Sequence, residues 1–258
     1  MSVTDAIQQA IADIETTHDV RVLFAAESGS RAWGFASPDS DYDVRFIYVH
    51  RPDWYIGIGE PRDVIEAMLP GDLDLSGWDL RKTLRLFLRC NLALNEWLGS
   101  PIVYAERGDL AQRLCDLLPS AFRAPAGYHH YLSMAQGVFN DHLAQDPVRL
   151  KKVFYVLRPL LACRWIAASG TQPPTEFDRL VAADWVSADE RGMIARLLAA
   201  KFDASEAHHT PLDAATRIWF EQEMVAAQAA AAKIRSTASI ETSTLDPLLR
   251  DSLRSSWD

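Results

Sequence analysis

Residues 20–49 read Val20-Arg-Val-Leu-Phe-Ala-Ala-Glu-Ser-Gly-Ser-Arg-Ala-Trp-Gly-Phe-Ala-Ser-Pro-Asp-Ser-Asp-Tyr-Asp-Val-Arg-Phe-Ile-Tyr-Val49, and we expect the rest of the chain to be organised around them. The apolar run at 20–26 predicts a buried strand that ends in a Gly-Ser turn. A short helical segment and a Ser-Pro-Asp-Ser turn follow, with proline at the position that a type I turn favours. The apolar residues at 44–49 predict a second strand. We therefore expect an α/β (α+β) core with a mixed sheet, built around this strand–turn–strand unit and followed by an all-helical C-terminal domain.

The second strand opens with two acidic residues, Asp41 and Asp43. Side chains alternate between the faces of a strand, so both carboxylates are expected on one face, roughly 6–7 Å apart along the chain. Arg45 shares that face, and we interpret it as a charge that balances the two acids. A divalent cation that prefers oxygen ligands would also relieve their repulsion, and Mg²⁺ typically takes one or two carboxylates, phosphate oxygens and water.

The turn before this strand has the features of a phosphate-binding site. Gly29 allows the backbone to approach a ligand closely, and N–H groups at the start of a helix bind phosphate. Ser30 is a candidate ligand of a triphosphate, although it could also be a turn serine that caps residues 31–35. Arg31 could contact phosphate, or it could pair with Glu27 or Asp39.

Several blocks of this sequence resemble the DNA polymerase beta-like nucleotidyltransferase superfamily. Gly29-Ser30, ten further residues and then Asp41-Tyr-Asp43 match its signature. The branch that is most similar is the predicted nucleotidyltransferases associated with RNA repair. The blocks that carry this resemblance cover roughly residues 20–180 and include Glu27-Ser-Gly-Ser-Arg-Ala-Trp-Gly-Phe35, Ser40-Asp-Tyr-Asp-Val-Arg-Phe46, Leu73-Asp-Leu-Ser-Gly-Trp-Asp-Leu-Arg-Lys82, Ser100-Pro-Ile-Val-Tyr104 and Tyr128-His-His-Tyr-Leu-Ser133.

The resemblance implies a nucleotidyl transfer that uses two Mg²⁺ ions, with Mn²⁺ as an alternative metal. One ion would hold the triphosphate of an NTP, and the other would lower the pKa of the attacking hydroxyl. Asp41 and Asp43 would contact both ions, and a third carboxylate would bind only the ion on the hydroxyl side. Pyrophosphate would be the leaving group.

Three aspartates compete for the role of third carboxylate. Asp72 and Asp74 fall on one face of a strand predicted at 72–77, and Asp74 is our preferred candidate. Asp79 is the second, because it lies in one of the resembling blocks. A structural alternative exists for Asp79, since Ser76 followed three residues later by an acid is a helix capping pattern.

The second half of the chain is predicted to be helical, with helices at 109–118, 125–145, 148–169, 187–201 and 211–236 separated by Pro and Gly breaks. We expect a nucleotidyltransferase domain at 1–108, a helical domain at 109–236 and a loosely held tail at 237–258, in which residues 245–253 could form a final docking helix.

One helix of this region carries a second set of candidate ligands. Lys151, Tyr155 and Arg158 fall on one helical face, and Lys152 lies beside them. Residues 148–174 contain five Lys and Arg residues and no acid. This pattern is also typical of a basic surface. Related two-domain nucleotidyltransferases place a lysine and a tyrosine on the incoming triphosphate, so the resemblance implies the same role here.

Composition and charge limit the function further. The net charge of −9 disfavours broad binding to duplex nucleic acid. Three cysteines without paired spacing are typical of reduced thiols in a cytoplasmic protein. No secretion signal or 18-residue apolar run is present, so we expect no membrane association. Adjacent His129 and His130 point about 100° apart on a helix, which excludes a shared zinc site.

The sequence therefore predicts a Mg²⁺-dependent enzyme that transfers an NMP from an NTP to an acceptor hydroxyl. The resemblance makes an RNA end the favoured acceptor, with a protein side chain or a small hydroxylated molecule as alternatives. A different class of function also remains open at this point: a non-catalytic nucleotide-binding sensor, or the antidote subunit of a two-protein system.

Overall fold

A computed structural model describes residues 2–143, 147–202, 208–236 and 238–258 of the chain. Its first half contains four of the five strands of the main sheet, interleaved with helices. These elements are α1 (Val3–His18), β1 (Val20–Glu27), α2 (Gly29–Trp33), β2 (Tyr42–His50), α3 (Pro52–Tyr55), β3 (Val64–Leu69), β4 (Leu73–Asp79), α4 (Leu80–Leu88) and α5 (Leu92–Leu98).

The second half is mainly helical. Its elements are β5 (Val103–Glu106), α6 (Leu110–Ala121), α7 (Ala124–Val138), a π-helical turn at Phe139–Leu143, β6 (Val148–Arg149), α8 (Leu150–Ser169), α9 (Phe177–Val181), α10 (Ala188–Phe202), β7 (His209–Thr210), α11 (Ala214–Ala231) and α12 (Thr242–Trp257). Five of these helices match the predicted ones, while α9 and the two-stranded β6–β7 ribbon were not predicted. Residues 144–145 of the helix predicted at 125–145 lie outside the described residues, as does residue 237.

The main sheet has the strand order β3-β4-β2-β1-β5. The central pair β2–β4 is parallel, and the other three pairs are antiparallel. A mixed sheet followed by a helical region confirms the predicted fold class. Each face of the sheet has its own core: Val44, Phe46 and Tyr48 of β2 pack with α1, whereas Ile47 and Val49 pack with α4, α5 and α6.

Contacts divide the chain into two compact units. The first contains residues up to Ala32, Asp41–Ala121 and Ser239–Asp258, and the second contains Trp33–Ser40 and Phe122–Ala238. Helix α6 and the C-terminal helix thus lie in the first unit, and eight residues before Asp41 lie in the second. Units defined by contacts are not the same as independently folding domains, so the domain boundaries proposed from the sequence stay predictions.

The C-terminal helix α12 is an integral part of the first unit. Leu245 and Leu248 are buried in the same core as α4 and α5. Near its end the indole Nε1 of Trp257 donates a hydrogen bond of 2.9 Å to the His50 carbonyl. Among the described helices of the whole chain, none has the length and apolar character needed to cross a bilayer.

A largely buried ionic network joins three helices of the second unit. Arg164 of α8 donates to Glu190 of α10 at 2.8 Å and makes a two-pronged contact with Glu223 of α11. Glu190 also accepts hydrogen bonds from Trp219 and from the backbone of Ser187. Burial alone would raise the pKa of Glu190, but these hydrogen bonds outweigh it and lower the pKa to about 2.

This low pKa predicts an acid-dependent loss of stability. Because the folded pKa lies below the unfolded value, ionised Glu190 stabilises the protein fully above about pH 4.5, and this stabilisation is lost as the pH falls towards 2. Urea unfolding of the wild type and Glu190→Gln should show a stability difference that shrinks by about 1.4 kcal/mol between pH 7 and pH 3.5. A difference that stays constant over that range would contradict the interpretation.

Candidate active site

Asp43 and Asp74 lie side by side in the first unit. Strands β2 and β4 run parallel, and their register makes these two residues direct partners. The Nη2 atom of Arg45 donates 2.8 Å hydrogen bonds to Oδ1 of Asp43 and Oδ2 of Asp74. Because both oxygens contact the same nitrogen atom, Oδ1 of Asp43 and Oδ2 of Asp74 are no farther apart than twice the 2.8 Å hydrogen-bond distance. The predicted charge-balancing role of Arg45 agrees with these contacts.

Gly29 lies against the carboxylate of Asp43. Its φ is +61°, a conformation that other residues rarely adopt, and a Cβ atom placed there would lie 2.4 Å from Oδ2 of Asp43. Glycine is thus required at this position both for the turn and for the close approach. The turn predicted from the Gly-Ser pair is the element that brings the backbone next to the acid.

The backbone of Asp43 is fixed by residues at the end of β1. Its N–H donates to Oε1 of Glu27 at 2.8 Å, and its carbonyl accepts from Ser28 N at 2.8 Å. Glu27 is fully buried, and its other oxygen accepts a hydrogen bond from the hydroxyl of Tyr104 on β5. Burial raises the pKa of the Glu27 carboxyl. Sequence reasoning missed this role, although an acid at the end of a buried strand was a visible signal.

The other candidates of the predicted turn lie close by. Ser30 is buried in the short helix α2. The Nε atom of Arg31 donates to the carbonyl of Asp41 at 3.0 Å, and its guanidinium lies 3.7 Å from the ring centre of Tyr42. Asp41 itself is exposed and directly precedes β2, so the strand begins one residue later than the sequence predicted.

The two alternative third carboxylates have other surroundings. Asp79 is fully buried, caps α4 by accepting hydrogen bonds from Arg81 N and Lys82 N, and accepts a 2.5 Å hydrogen bond from the hydroxyl of Tyr55. The capping pattern with Ser76 as the cap is thus wrong, because β4 continues to Asp79 and the helix begins after it. Asp72 is exposed, with a positive φ of 55°, in the turn before β4.

The predicted ligands on α8 form a cluster in the second unit. The Nζ atoms of Lys151 and Lys152 lie 5.8 and 5.7 Å from the ring centre of Tyr155. The ring of Tyr155 contacts Trp33 edge-on, and the guanidinium of Arg158 lies 4.5 Å from the Trp33 ring centre. Arg158 is 1% exposed and donates to the Thr175 carbonyl, so protein surrounds its charged group. The phosphate-binding role of these four residues stays a prediction.

The chemistry of Asp43 and Asp74 fits a divalent metal ion. Two carboxylates are the number that Mg²⁺ typically takes from a protein, and both side chains are about one-third exposed, which leaves them accessible. In the described part of the chain, no group of three or more His, Cys, Asp or Glu side chains is arranged to hold a metal ion. The predicted set of Asp41, Asp43 and Asp74 therefore stays a prediction.

Comparison with known proteins identifies the family. The model of the RNA repair pathway DNA polymerase beta family matches residues 3–251. This chain belongs to that family. The match confirms the resemblance to polymerase beta-like nucleotidyltransferases seen in the sequence, and it includes most of the C-terminal helix.

Two individual proteins are also similar. The uncharacterized protein YcgL of Bacillus subtilis (strain 168) is 43% identical over 249 residues, which are 95% of this chain and 94% of that protein. A nucleotidyltransferase-like protein from Exiguobacterium sibiricum 255-15, with a crystal structure at 1.90 Å, shares 14% identity. The alignment covers 96% of this chain and 89% of that one, with a TM-score of 0.36.

For this member of the RNA repair pathway DNA polymerase beta family, Gly29→Ala tests the contact with Asp43. The left-handed backbone predicts a loss of about 1–3 kcal/mol of unfolding free energy. The added methyl group should also displace the Asp43 carboxylate and abolish nucleotide binding, which calorimetry with each of the four Mg-NTPs would measure. Gly71→Ala is the matched control, since Gly71 has a φ of +84° and no atom within 4 Å of an added Cβ. Nucleotide binding by Gly29→Ala that is as strong as binding by Gly71→Ala would contradict a role of this contact in nucleotide binding.

Proposed function

We propose that this protein is a Mg²⁺-dependent nucleotidyltransferase that moves an NMP from an NTP to an acceptor hydroxyl and releases pyrophosphate. Membership of a polymerase beta family supports a transferase of this kind. The observation that carries the proposal is the pairing of Asp43 and Asp74 on adjacent parallel strands, with Gly29 against the Asp43 carboxylate. Two neighbouring carboxylates can bind a divalent metal ion that also binds phosphate oxygens, and the backbone at Gly29 lies beside them.

In this proposal Asp43 and Asp74 would hold Mg²⁺, and Asp41, which directly precedes β2, would add a third carboxylate. When bound, the metal neutralises phosphate charge and lowers the pKa of the attacking hydroxyl. The backbone of Gly29 and the hydroxyl of Ser30 bind the triphosphate, and Arg31 adds a positive charge beside it. Glu27 positions Asp43, because its carboxylate accepts a hydrogen bond from the backbone N–H of Asp43.

We propose an RNA end as the acceptor. The support for this choice is the family description, which places the family in RNA repair. Protein side chains and small hydroxylated molecules use the same chemistry, so they are alternative outcomes of the same test. A protein that binds an NTP but releases no pyrophosphate with any acceptor would instead be a nucleotide sensor or an antidote-type partner.

The experiment that tests the residue roles compares Asp74→Asn with Asp79→Asn. Each variant is incubated with Mg²⁺, an α-labelled NTP and RNA, and label transfer is followed together with thermal unfolding. We expect Asp74→Asn to lose transfer while remaining folded. Asp79→Asn should lower the unfolding temperature, because it removes the buried carboxylate oxygen that accepts the hydrogen bond from Tyr55, and its folded fraction should retain transfer. The reverse pattern would assign the third carboxylate to Asp79.

A further inference from the structure

Arg45 holds the place between the two acids that the proposed function gives to a metal ion. Besides its contacts with both carboxylates, its Nη1 atom lies 3.2 Å from the carbonyl oxygens of Val44 and Asp74. Its side chain is only 18% exposed, compared with 33% for each aspartate. These four contacts hold the guanidinium in one position within the sheet.

The contacts also identify which oxygens the arginine uses. Nη2 of Arg45 binds Oδ1 of Asp43 and Oδ2 of Asp74, the atoms through which the two side chains converge. The second carboxylate oxygen of Asp43, Oδ2, lies next to Gly29. A divalent cation would bind between the same two oxygens that the guanidinium contacts. Both are positively charged, so at this short range they would repel each other strongly in a partly buried site.

We propose that Arg45 is a built-in counter-ion that competes with the divalent cation for Asp43 and Asp74. In the absence of metal it offsets one of the two negative charges of the acid pair and stabilises the end of the sheet at which β2 and β4 begin. Metal loading then requires the guanidinium to release at least one carboxylate. This inference rests on the proposed function, since it assigns a metal to the same two residues.

The test measures binding of Mn²⁺ alone, supplied as MnCl₂, from the electron paramagnetic resonance signal of the free ion. Arg45→Met should bind Mn²⁺ with a Kd at least about tenfold lower than the wild type, because a nearby positive charge is removed. Arg62→Met is the matched control: Arg62 is 70% exposed and pairs with Glu66 on the edge strand β3. Its loss should leave the Kd nearly unchanged, because exposed charges are screened by salt.

Two further variants locate the effect and protect the test against misfolding. Adding Asp43→Asn and Asp74→Asn to Arg45→Met should remove the gain in affinity, which excludes binding at other acids. Arg45→Lys keeps a charge but cannot span all four contacts, so its Kd should lie between those of Arg45→Met and the wild type. In thermal unfolding, Mn²⁺ should stabilise Arg45→Met more than it stabilises the wild type.

The outcomes separate this inference from the proposed function. Equal or weaker Mn²⁺ binding by both Arg45 variants, with NMP transfer by the wild type intact, overturns the counter-ion role and leaves the proposed function standing. If no variant binds Mn²⁺ and the wild type releases no pyrophosphate, both fall. Two results support competition between Arg45 and the metal ion. Either Arg45→Met binds Mn²⁺ and the wild type does not, or both bind it and Arg45→Met has the lower Kd.

Discussion

Asp43→Asn is expected to reduce NMP transfer by about 10³-fold or more. Asp43 is the residue on which the site converges, since it contacts Arg45 by its side chain, Gly29 by its carboxylate, and Glu27 and Ser28 by its backbone. In the proposed function, replacing its charge weakens a metal contact worth several kcal/mol of charge stabilisation, and each 1.36 kcal/mol changes the rate tenfold. The measurement is transfer of label from an α-labelled NTP in Mg²⁺.

The control for this prediction is Asp13→Asn on the exposed face of α1. Asp13 accepts only a surface hydrogen bond from Gln9 among the contacts described for it, so the same chemical change should leave transfer close to that of the wild type. Thermal unfolding of both variants checks that they are folded. Retention of most of the transfer activity by Asp43→Asn would remove this residue from the metal site.

Arg164→Met is expected to lower the free energy of unfolding by about 3–5 kcal/mol, because it leaves the buried carboxylate of Glu223 and the largely buried carboxylate of Glu190 without their cation. The side chains of Glu190 and Glu223 are 15% and 10% exposed, and both contact this one guanidinium. The network joins α8, α10 and α11, so its loss should loosen the second unit. Urea unfolding monitored by circular dichroism gives the measurement.

Arg179→Met provides the comparison for an exposed ion pair. Arg179 is 61% exposed and lies 3.5 Å from Glu176, so its removal should cost less than about 1 kcal/mol. Similar losses for the two variants would show that burial does not strengthen the Arg164 network. The double variant Arg164→Met with Glu223→Gln should recover part of the loss, because it leaves only one unpaired acid.

Local patterns in the sequence predicted most of the elements around the site. The apolar runs and the Gly-Ser and Ser-Pro-Asp-Ser turns predicted β1, α2 and β2, since these signals act over a few residues. The alternation that placed Asp43 and Arg45 on one face is also local, and the structure confirms that they share it. What local patterns could not supply was the parallel pairing of β2 with β4. That pairing brings residues about thirty positions apart into register.

The choice among the acids at 72–79 shows the same limit. Asp72 lies in the turn before β4, whereas Asp74 and Asp79 lie within this strand, so the bounds and register of β4 separate the three aspartates. The register puts Asp74 beside Asp43, while the end of β4 puts Asp79 at the start of α4. Glu27 was missed for a related reason, because its partners are Asp43 and the distant Tyr104.

The eight residues before Asp41 make contacts with residues that lie far along the chain. Phe35 packs against Phe154 and Phe177, and Ser37 accepts a 2.7 Å hydrogen bond from the buried Lys201. Because these partners lie far along the chain, no local sequence pattern predicts the contacts with them. The same is true of α12, whose leucines were visible in sequence but whose docking surface was not.

Pyrophosphate release is the most direct test of the central claim that Asp43 and Asp74 together carry nucleotidyl transfer. The wild type and the double variant Asp43→Asn/Asp74→Asn are each incubated with Mg²⁺, one of the four NTPs, and an RNA end, a protein or a small hydroxylated acceptor. We expect the wild type to release pyrophosphate in step with the attachment of NMP to at least one acceptor, and the double variant to release none. Equal release by both proteins, or NTP binding by the wild type without release for any acceptor, would contradict it.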